Sequence, residues 1–138
     1  MLRRALIVLA GLATVCTAVE TPVQTPVQTS EPNKTGYPSV AAAFDALKAK
    51  PGTRTTATKA WTTIEDMEGE DLVLWSFTVP THPAHPSVVK RTLQKKSDGY
   101  YIDMNIRCEA VDQTACAGLA RSFQALNEQV KRSLRDGK

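Results

Sequence analysis

The segment Tyr100 to Cys108 alternates between two sets of side chains, and this alternation constrains the fold more than any other feature of the chain. Because successive side chains of a strand point to opposite faces, the segment predicts a single strand with two different faces. The first face is mainly apolar and carries Tyr100, Ile102, Met104, Ile106 and Cys108. The second face is polar and carries Tyr101, Asp103, Asn105 and Arg107. Such a strand is typical of an antiparallel sheet with its core on one side and water on the other.

Earlier segments predict the other strands of this sheet. Ser97-Asp98-Gly99 has the composition of a hairpin turn, which joins the alternating strand to a partner at Val88 to Lys95. Leu72 to Val79 is the clearest strand, and one of its faces is formed by Val73, Trp75, Phe77 and Val79. The remaining segments are, in chain order, Thr53 to Thr58, Ala60 to Ile64 with Trp61 as its anchor, and the charged turn Glu65 to Asp71. Consecutive antiparallel strands most often form a meander, here of four to five strands.

A helix is predicted on either side of these strands. Ser39 is a favoured helix cap before Val40 to Lys48, and Pro51-Gly52 ends that helix. A long C-terminal helix runs from about Asp112 to Leu134. Its apolar stripe is formed by Leu119, Phe123, Leu126, Val130 and Leu134. The sequence therefore predicts an α+β fold, a two-layer sandwich in which both helices cover the same face of the sheet.

The N-terminus has the pattern of an export signal. Arg3 and Arg4 precede the apolar run Ala5 to Ala13, and small residues follow at positions 16–18. The run is shorter than the roughly 20 apolar residues of a membrane-spanning helix, so no transmembrane span is expected in the mature chain. We expect a signal peptide at 1–18, a Thr/Pro-rich flexible linker at 19–36 and a single domain at 37–136. Lipidation of Cys16, which would tether the domain to a membrane, is the alternative to cleavage after Ala18.

The net charge bears on the kind of partner, and the cysteine content bears on the compartment and on disulfide formation. The chain has 17 Lys and Arg against 14 Asp and Glu, a formal net charge of +3, and two of these cations leave with the signal. A nearly neutral mature domain does not have the basic excess of nucleic-acid-binding proteins. Cys16 lies in the signal, so Cys108 and Cys116 remain as a pair in an oxidising compartment. We predict that they form a structural disulfide, because redox-active pairs are typically spaced as Cys-X-X-Cys.

The loop His82-Pro83-Ala84-His85-Pro86 contains the only histidines of the chain. His82 and His85 are weak candidates for metal ligands, with acids of the Glu65–Asp71 turn as further ligands if the fold brings that turn close. A solvated, proline-rich loop with two exposed histidines is the simpler interpretation, so no metal or other cofactor is predicted. The acidic turn does not have the spacing of a calcium-binding loop and is interpreted as a charged hairpin tip.

Recognisable catalytic motifs are missing from the sequence. It has no Gly-x-Ser-x-Gly elbow, no phosphate-binding glycine loop and no His-Glu-x-x-His segment. We therefore predict that the protein is not an enzyme. A hydrolase or isomerase site would require the fold to join His82 or His85 to Asp66 or Asp103 in one pocket.

The polar face of the alternating strand is the candidate interaction face. Tyr101, Asp103, Asn105 and Arg107 combine an aromatic ring with both signs of charge. Their predicted cross-strand neighbours are Lys90, Thr92 and Gln94. Such a face can bind a protein or peptide, or it can be an ordinary solvated sheet face.

Several segments together resemble a family of small exported proteins of Gram-negative bacteria that have no assigned function. They are Leu74-Trp75-Ser76-Phe77-Thr78, the His-Pro-Ala-His-Pro loop, Val88-Val89-Lys90-Arg91, Ile102-Asp103-Met104, Cys108 and Cys116. The resemblance covers about Tyr37 to Leu134 and implies export and a disulfide, but no activity. We expect an exported, periplasmic, non-enzymatic domain that binds an unknown protein or peptide partner in the cell envelope. A small-ligand or metal-binding periplasmic protein, or a membrane-tethered lipoprotein, is the alternative.

Overall fold

The structure is a computed structural model that describes residues 34–137. The predicted signal peptide, Cys16 and the linker up to residue 33 lie outside the described residues. The elements are, in chain order, α1 (Val40–Ala49), β1 (Arg54–Ala57), β2 (Trp61–Glu68), β3 (Asp71–Thr78), β4 (Ser87–Lys96), β5 (Gly99–Cys108) and α2 (Gln113–Arg135). The strands form one antiparallel sheet in the order β1-β2-β3-β4-β5. The α+β class and the five-stranded meander between two helices are confirmed.

Both helices begin at polar caps. The Ser39 hydroxyl accepts a hydrogen bond from the Ala42 amide (3.0 Å) at the start of α1, as predicted. The Asp112 carboxylate accepts hydrogen bonds from the amides of Thr114 (2.8 Å) and Ala115 (3.3 Å) at the start of α2. Each cap satisfies backbone donors that have no partner within the first helical turn. No helix among residues 34–137 is long and apolar enough to cross a membrane.

The two helices lie on opposite faces of the sheet, which corrects the prediction of two layers with both helices on one face. The core on the α1 side contains Val40, Ala43, Leu47, Ile64, Val73, Trp75, Phe77 and Val88. The core on the α2 side contains Ala84, Val89, Leu119 and Phe123, with Trp61, Met104 and Ile106 packed against it. Val88 and Val89 are successive residues of β4, and both are fully buried. Because successive strand residues point to opposite faces, the middle of the sheet is covered on both sides.

The buried stripe of α2 differs from the predicted stripe at one turn. Leu119 and Phe123 are buried as predicted, but Leu126 exposes 38% of its surface. Asn127 is buried in its place, at 6% exposure. The spacing from Leu119 to Phe123 to Asn127 is four residues each time, so these side chains follow one row along the helix. The apolar side chain at position 126 therefore lies at the margin of the buried row, where it is partly exposed.

The charged turn is also shorter than predicted, because β2 continues to Glu68 and β3 begins at Asp71. Three carboxylates of the predicted turn form ion pairs with three different cations, two in other strands and one at the end of α1. Glu65 accepts from Arg54 (2.6 Å), Asp66 from Lys50 (2.6 Å) and Glu68 from Lys90 (2.9 Å). Paired charges of this kind are compatible with a strand, so the acidic residues extend the hairpin instead of forming its loop.

A disulfide joins Cys108, at the end of β5, to Cys116, in the first turns of α2, and confirms the predicted pair. The Cα atoms are 5.9 Å apart, within the usual range for a bridge. The disulfide therefore fixes the start of α2 at the end of β5.

Reduction of this disulfide is expected to lower the free energy of unfolding by about 2–3 kcal/mol, because the oxidised unfolded chain has fewer conformations. Urea unfolding with and without a phosphine reductant measures the difference. A variant with both Cys108→Ser and Cys116→Ser is the control, since its unfolding midpoint should not respond to the reductant. Equal midpoints for the oxidised and reduced wild-type protein would contradict this stabilising role.

Candidate functional site

The polar residues of β5 lie on one face of the sheet, the face on which α1 packs. Arg107 is opposite Val88, Asn105 opposite Lys90, Asp103 opposite Thr92 and Tyr101 opposite Gln94. The three predicted cross-strand neighbours are thereby confirmed. Tyr101 exposes 42% of its surface and Asp103 is also exposed, whereas Asn105 and Arg107 are half-buried. The polar face of β5, defined by these four residues, is accessible beside the part of the sheet that α1 covers.

Local hydrogen bonds hold the side chains of the polar face in place. The Tyr101 hydroxyl donates to the Asp98 carboxylate (2.6 Å), and the Lys96 ammonium lies 4.6 Å from the centre of the Tyr101 ring. The Asn105 amide donates to the Asp103 carboxylate (2.7 Å). These contacts restrict the exposed side chains of Tyr101 and Asp103 and the half-buried side chain of Asn105 before any partner is bound.

Arg107 connects the polar face to the start of α1. Its Nε donates to Oε1 of Glu109 (2.6 Å), and its Nη2 donates to the carbonyl oxygen of Pro38. The same Glu109 oxygen accepts a hydrogen bond from the amide of Val40 (3.1 Å), the first residue of α1. The arginine at one end of the polar face is therefore fixed by the loop that leads into the first helix.

The contact between Tyr101 and Asp98 changes the titration of both groups. The hydrogen bond from Tyr101 holds the pKa of Asp98 below its ordinary value, and the same contact raises the pKa of Tyr101. A carboxylate with a lowered folded-state pKa contributes stability above its unfolded pKa. That contribution is lost as the pH falls through the folded-state pKa.

We expect the Tyr101→Phe variant to return the Asp98 pKa towards its ordinary value, because the largest cause of its lowering is removed. The stability difference between variant and wild type should then disappear at acidic pH, where Asp98 is protonated in both. Titration of the Asp98 carboxyl carbon by NMR measures the pKa. Tyr100→Phe is the matched control and should leave it unchanged. An unaltered Asp98 pKa in Tyr101→Phe would show that the hydrogen bond does not exist in solution.

The other side of β5 faces α2 across a groove of about 470 Å³. Its walls are Ile102 and Met104 from β5 and a row of α2 residues, Gln124, Ala125, Asn127, Glu128 and Lys131. Asn127 is the buried polar residue of this groove. Its Nδ2 lies 3.4 Å from the Met104 sulfur, whereas its Oδ1 is buried and has no hydrogen-bond partner among residues 34–137. An unpaired buried acceptor is energetically unfavourable in the folded domain.

Arg91 is a second buried polar residue near this groove. It lies opposite Met104 in the β4–β5 register and exposes 8% of its surface. Its guanidinium is 5.0 Å from the centre of the Phe123 ring, and its Nε has no hydrogen-bond partner in the described part of the chain. Burial lowers the pKa of Arg91, and no acidic residue of the described chain forms an ion pair with it. The α2 side of the sheet thus contains a buried cation that lies against an aromatic ring and not against a carboxylate.

The histidine loop does not form a site with the candidate acids. The His82 ring packs on Trp61 at 4.8 Å, and its Nδ1 accepts a hydrogen bond from the Ala84 amide (3.1 Å). His85 donates from Nδ1 to the Thr78 carbonyl oxygen (3.0 Å). Asp66 and Asp103 lie on the α1 side of the sheet, whereas Trp61 packs with the α2 core.

The sheet therefore separates the His82 ring from both acids. The groove described above contains neither histidine. Within residues 34–137, no three His, Cys, Asp or Glu side chains are grouped so that they could hold a metal ion. The weak metal candidates His82 and His85 thus have local structural contacts in this fold.

Sequence reasoning placed the polar face correctly but missed Asn127 and Arg91. Asn127 lies four residues after Phe123 in α2, and Arg91 lies opposite Met104 in the β4–β5 register. At both positions the periodicity of the element predicts a side chain that points into the core. A polar residue at a position that should point into the core was the sequence signal that could have identified both residues. Comparison of the chain with protein-family models, curated proteins and solved structures finds no match.

Proposed function

We propose that this chain is an exported, periplasmic, non-enzymatic domain that binds a protein partner through the polar face of β5. The observation that carries the proposal is the local fixing of Tyr101, Asp103 and Asn105 in an exposed surface. Binding to a surface whose side chains are already restricted loses less conformational entropy. Tyrosine and arginine are also enriched among the residues that contribute most to protein interfaces.

The disulfide supports a location outside the reducing cytoplasm, because structural disulfides persist in oxidising compartments. Together with the predicted signal at 1–18, this favours the periplasm. Intact mass of protein recovered from its native envelope fraction tests the location. A mass of residues 19–138 less two hydrogens supports a free periplasmic domain. A mass that corresponds to a chain beginning at an acylated Cys16 would instead indicate a membrane-tethered lipoprotein.

Site-specific photo-crosslinking tests the interaction. A benzoylphenylalanine at Thr92, which lies opposite Asp103 in the β4–β5 register, samples the polar face and leaves its hydrogen bonds in place. The same group at Asp45, an exposed aspartate of α1, is the control. We expect a discrete adduct with one envelope protein from position 92 and not from position 45. Adding Tyr101→Ala should reduce the yield of that adduct by about tenfold, as for a major interface residue. No adduct, or the same adducts from both positions, would refute the proposal.

A further inference from the structure

We propose that Asp98 is a site of spontaneous isoaspartate formation and that the Tyr101 hydroxyl sets the rate of this reaction. The proposal goes beyond the proposed function, because it concerns a covalent change in the turn between β4 and β5 and needs no partner. Three observations support it. They are the sequence Asp98-Gly99, the exposure of Asp98 and the hydrogen bond that its carboxylate accepts from Tyr101.

The reaction joins the side chain of an aspartate to the main chain of the next residue. The amide nitrogen of Gly99 attacks Cγ of the protonated Asp98 carboxyl group, and the C–OH bond breaks. The amide proton and the hydroxyl leave as one water, and a cyclic succinimide remains. Water then opens the ring at either carbonyl carbon. Opening at the main-chain carbonyl leaves the chain connected through Cγ, which is isoaspartate, so one water leaves, one is added and no other reactant is needed.

The turn leaves the two reacting groups next to each other and accessible. Lys96 and Gly99 form the last pair of the β4–β5 register, so Ser97 and Asp98 are the two residues of the turn. Gly99 has a φ of 143°, a conformation that favours glycine. Apart from its chain neighbours, no heavy atom of residues 34–137 lies within 4 Å of the place that a β-carbon would occupy there. Gly99 therefore contributes no side chain that would hinder attack by its nitrogen.

The Tyr101 hydroxyl opposes the reaction in two ways. It donates to the Asp98 carboxylate at 2.6 Å, so the carboxylate is held away from free rotation towards the Gly99 nitrogen. The same hydrogen bond lowers the pKa of Asp98 and so reduces the protonated fraction of this group. Only the protonated carboxyl group can lose its hydroxyl readily. Loss of the Tyr101 hydroxyl should therefore make the reaction faster.

A second Asp-Gly pair, Asp136-Gly137, provides an internal reference. Asp136 follows the last residue of α2 and is exposed. Its one hydrogen bond within the described residues runs from its main-chain amide to the Arg132 carbonyl oxygen (3.0 Å), so its carboxylate is not held as that of Asp98 is. We therefore expect isoaspartate to form faster at position 136 than at position 98.

Incubation in oxygen-18 water tests the proposal, because opening of the succinimide places one oxygen-18 atom in the residue. The folded protein is kept at mildly acidic pH and physiological temperature, and is then digested in ordinary water. Mass spectrometry of the tryptic peptide 97–107 reports on Asp98, and fragment spectra distinguish it from Asp103. The peptide 129–138, released by cleavage after Glu128, reports on Asp136.

Tyr101→Phe is the decisive variant, and Tyr100→Phe is its matched control. We expect Tyr101→Phe to raise the rate at position 98 by about two- to tenfold, the range that loss of one hydrogen bond gives. The rate at position 136 should not change, and Tyr100→Phe should alter neither rate. In Asp98→Glu the label at position 98 should be absent, because the longer side chain would have to close a larger and less favourable ring. Circular dichroism confirms that the variants are folded.

Two results would overturn the inference. Absence of oxygen-18 at position 98 in both the wild-type protein and Tyr101→Phe would show that Asp98 is not a site of this reaction. Equal rates at position 98 in these two proteins would show that the hydroxyl does not set the rate. Neither result affects the crosslinking test of the polar face.

Discussion

Replacement of Phe123 by alanine is expected to lower the free energy of unfolding by about 3–5 kcal/mol, among the largest effects of any single substitution in the domain. Phe123 exposes 4% of its surface and is the centre of the core on the α2 side. Its ring forms an edge-to-face contact with Trp61, with centroids 5.2 Å apart, and the Arg91 guanidinium lies over its face. Truncation removes the ring and leaves a cavity. It also removes the aromatic contact of a buried cation, Arg91, which has no acidic partner among the described residues.

Urea unfolding followed by circular dichroism measures this loss. Leu126→Ala is the matched control, because Leu126 lies on the same helix and belongs to the apolar stripe predicted from sequence. Since Leu126 is 38% exposed, its truncation should change the free energy of unfolding by less than about 1 kcal/mol. Similar losses in both variants would show that α2 packs through the predicted stripe and not through the observed one.

Trp75→Ala is expected to produce a comparable loss of about 3–5 kcal/mol on the opposite side of the sheet. Trp75 exposes 2% of its surface and packs against α1 residues in the larger core. Tyr37 contacts it edge to face, with centroids 5.6 Å apart, and the Lys90 ammonium lies 5.0 Å from its ring. The substitution therefore removes the largest buried side chain of this face and two contacts around it.

Trp75→Phe separates packing from hydrogen bonding at this position. The indole Nε1 is buried and has no hydrogen-bond partner within residues 34–137, so phenylalanine removes a poorly satisfied donor while it keeps an aromatic ring. We expect a clearly smaller loss than in Trp75→Ala, measured by the same urea unfolding. Equal losses in the two variants would mean that aromatic packing is not what Trp75 contributes.

Most of the fold could be predicted because the strands and helices have strong local signals. The alternation of Tyr100 to Cys108 and the Ser97-Asp98-Gly99 turn predict β5 and its hairpin, and the structure contains both. The face covered by each helix could not be predicted in this way. Val88-Val89 shows that this part of β4 is buried on both sides, but it does not indicate which helix covers which side. That choice depends on long-range packing.

The candidate site could be predicted only in part, for a related reason. The side-chain period of two places Tyr101, Asp103, Asn105 and Arg107 on one face, and the register confirms this. Asn127 was missed because the interpretation of α2 followed apolar residues, and Leu126 beside it fits the helical period nearly as well. One residue is a rotation of about 100° around a helix, so this choice decides whether leucine or asparagine faces the sheet. Periodicity alone does not resolve it.

The meander has a consequence for the rate at which the domain reaches its native state. Every strand pairs with the strand next to it in the sequence, and the two cysteines are separated by eight positions. The sheet can therefore grow hairpin by hairpin, without closure of a long loop between remote segments. A topology of such short-range contacts folds faster than a β-sandwich of equal size, whose strands must find distant partners. Fast assembly also shortens the time for which an unpaired strand edge is exposed to other chains.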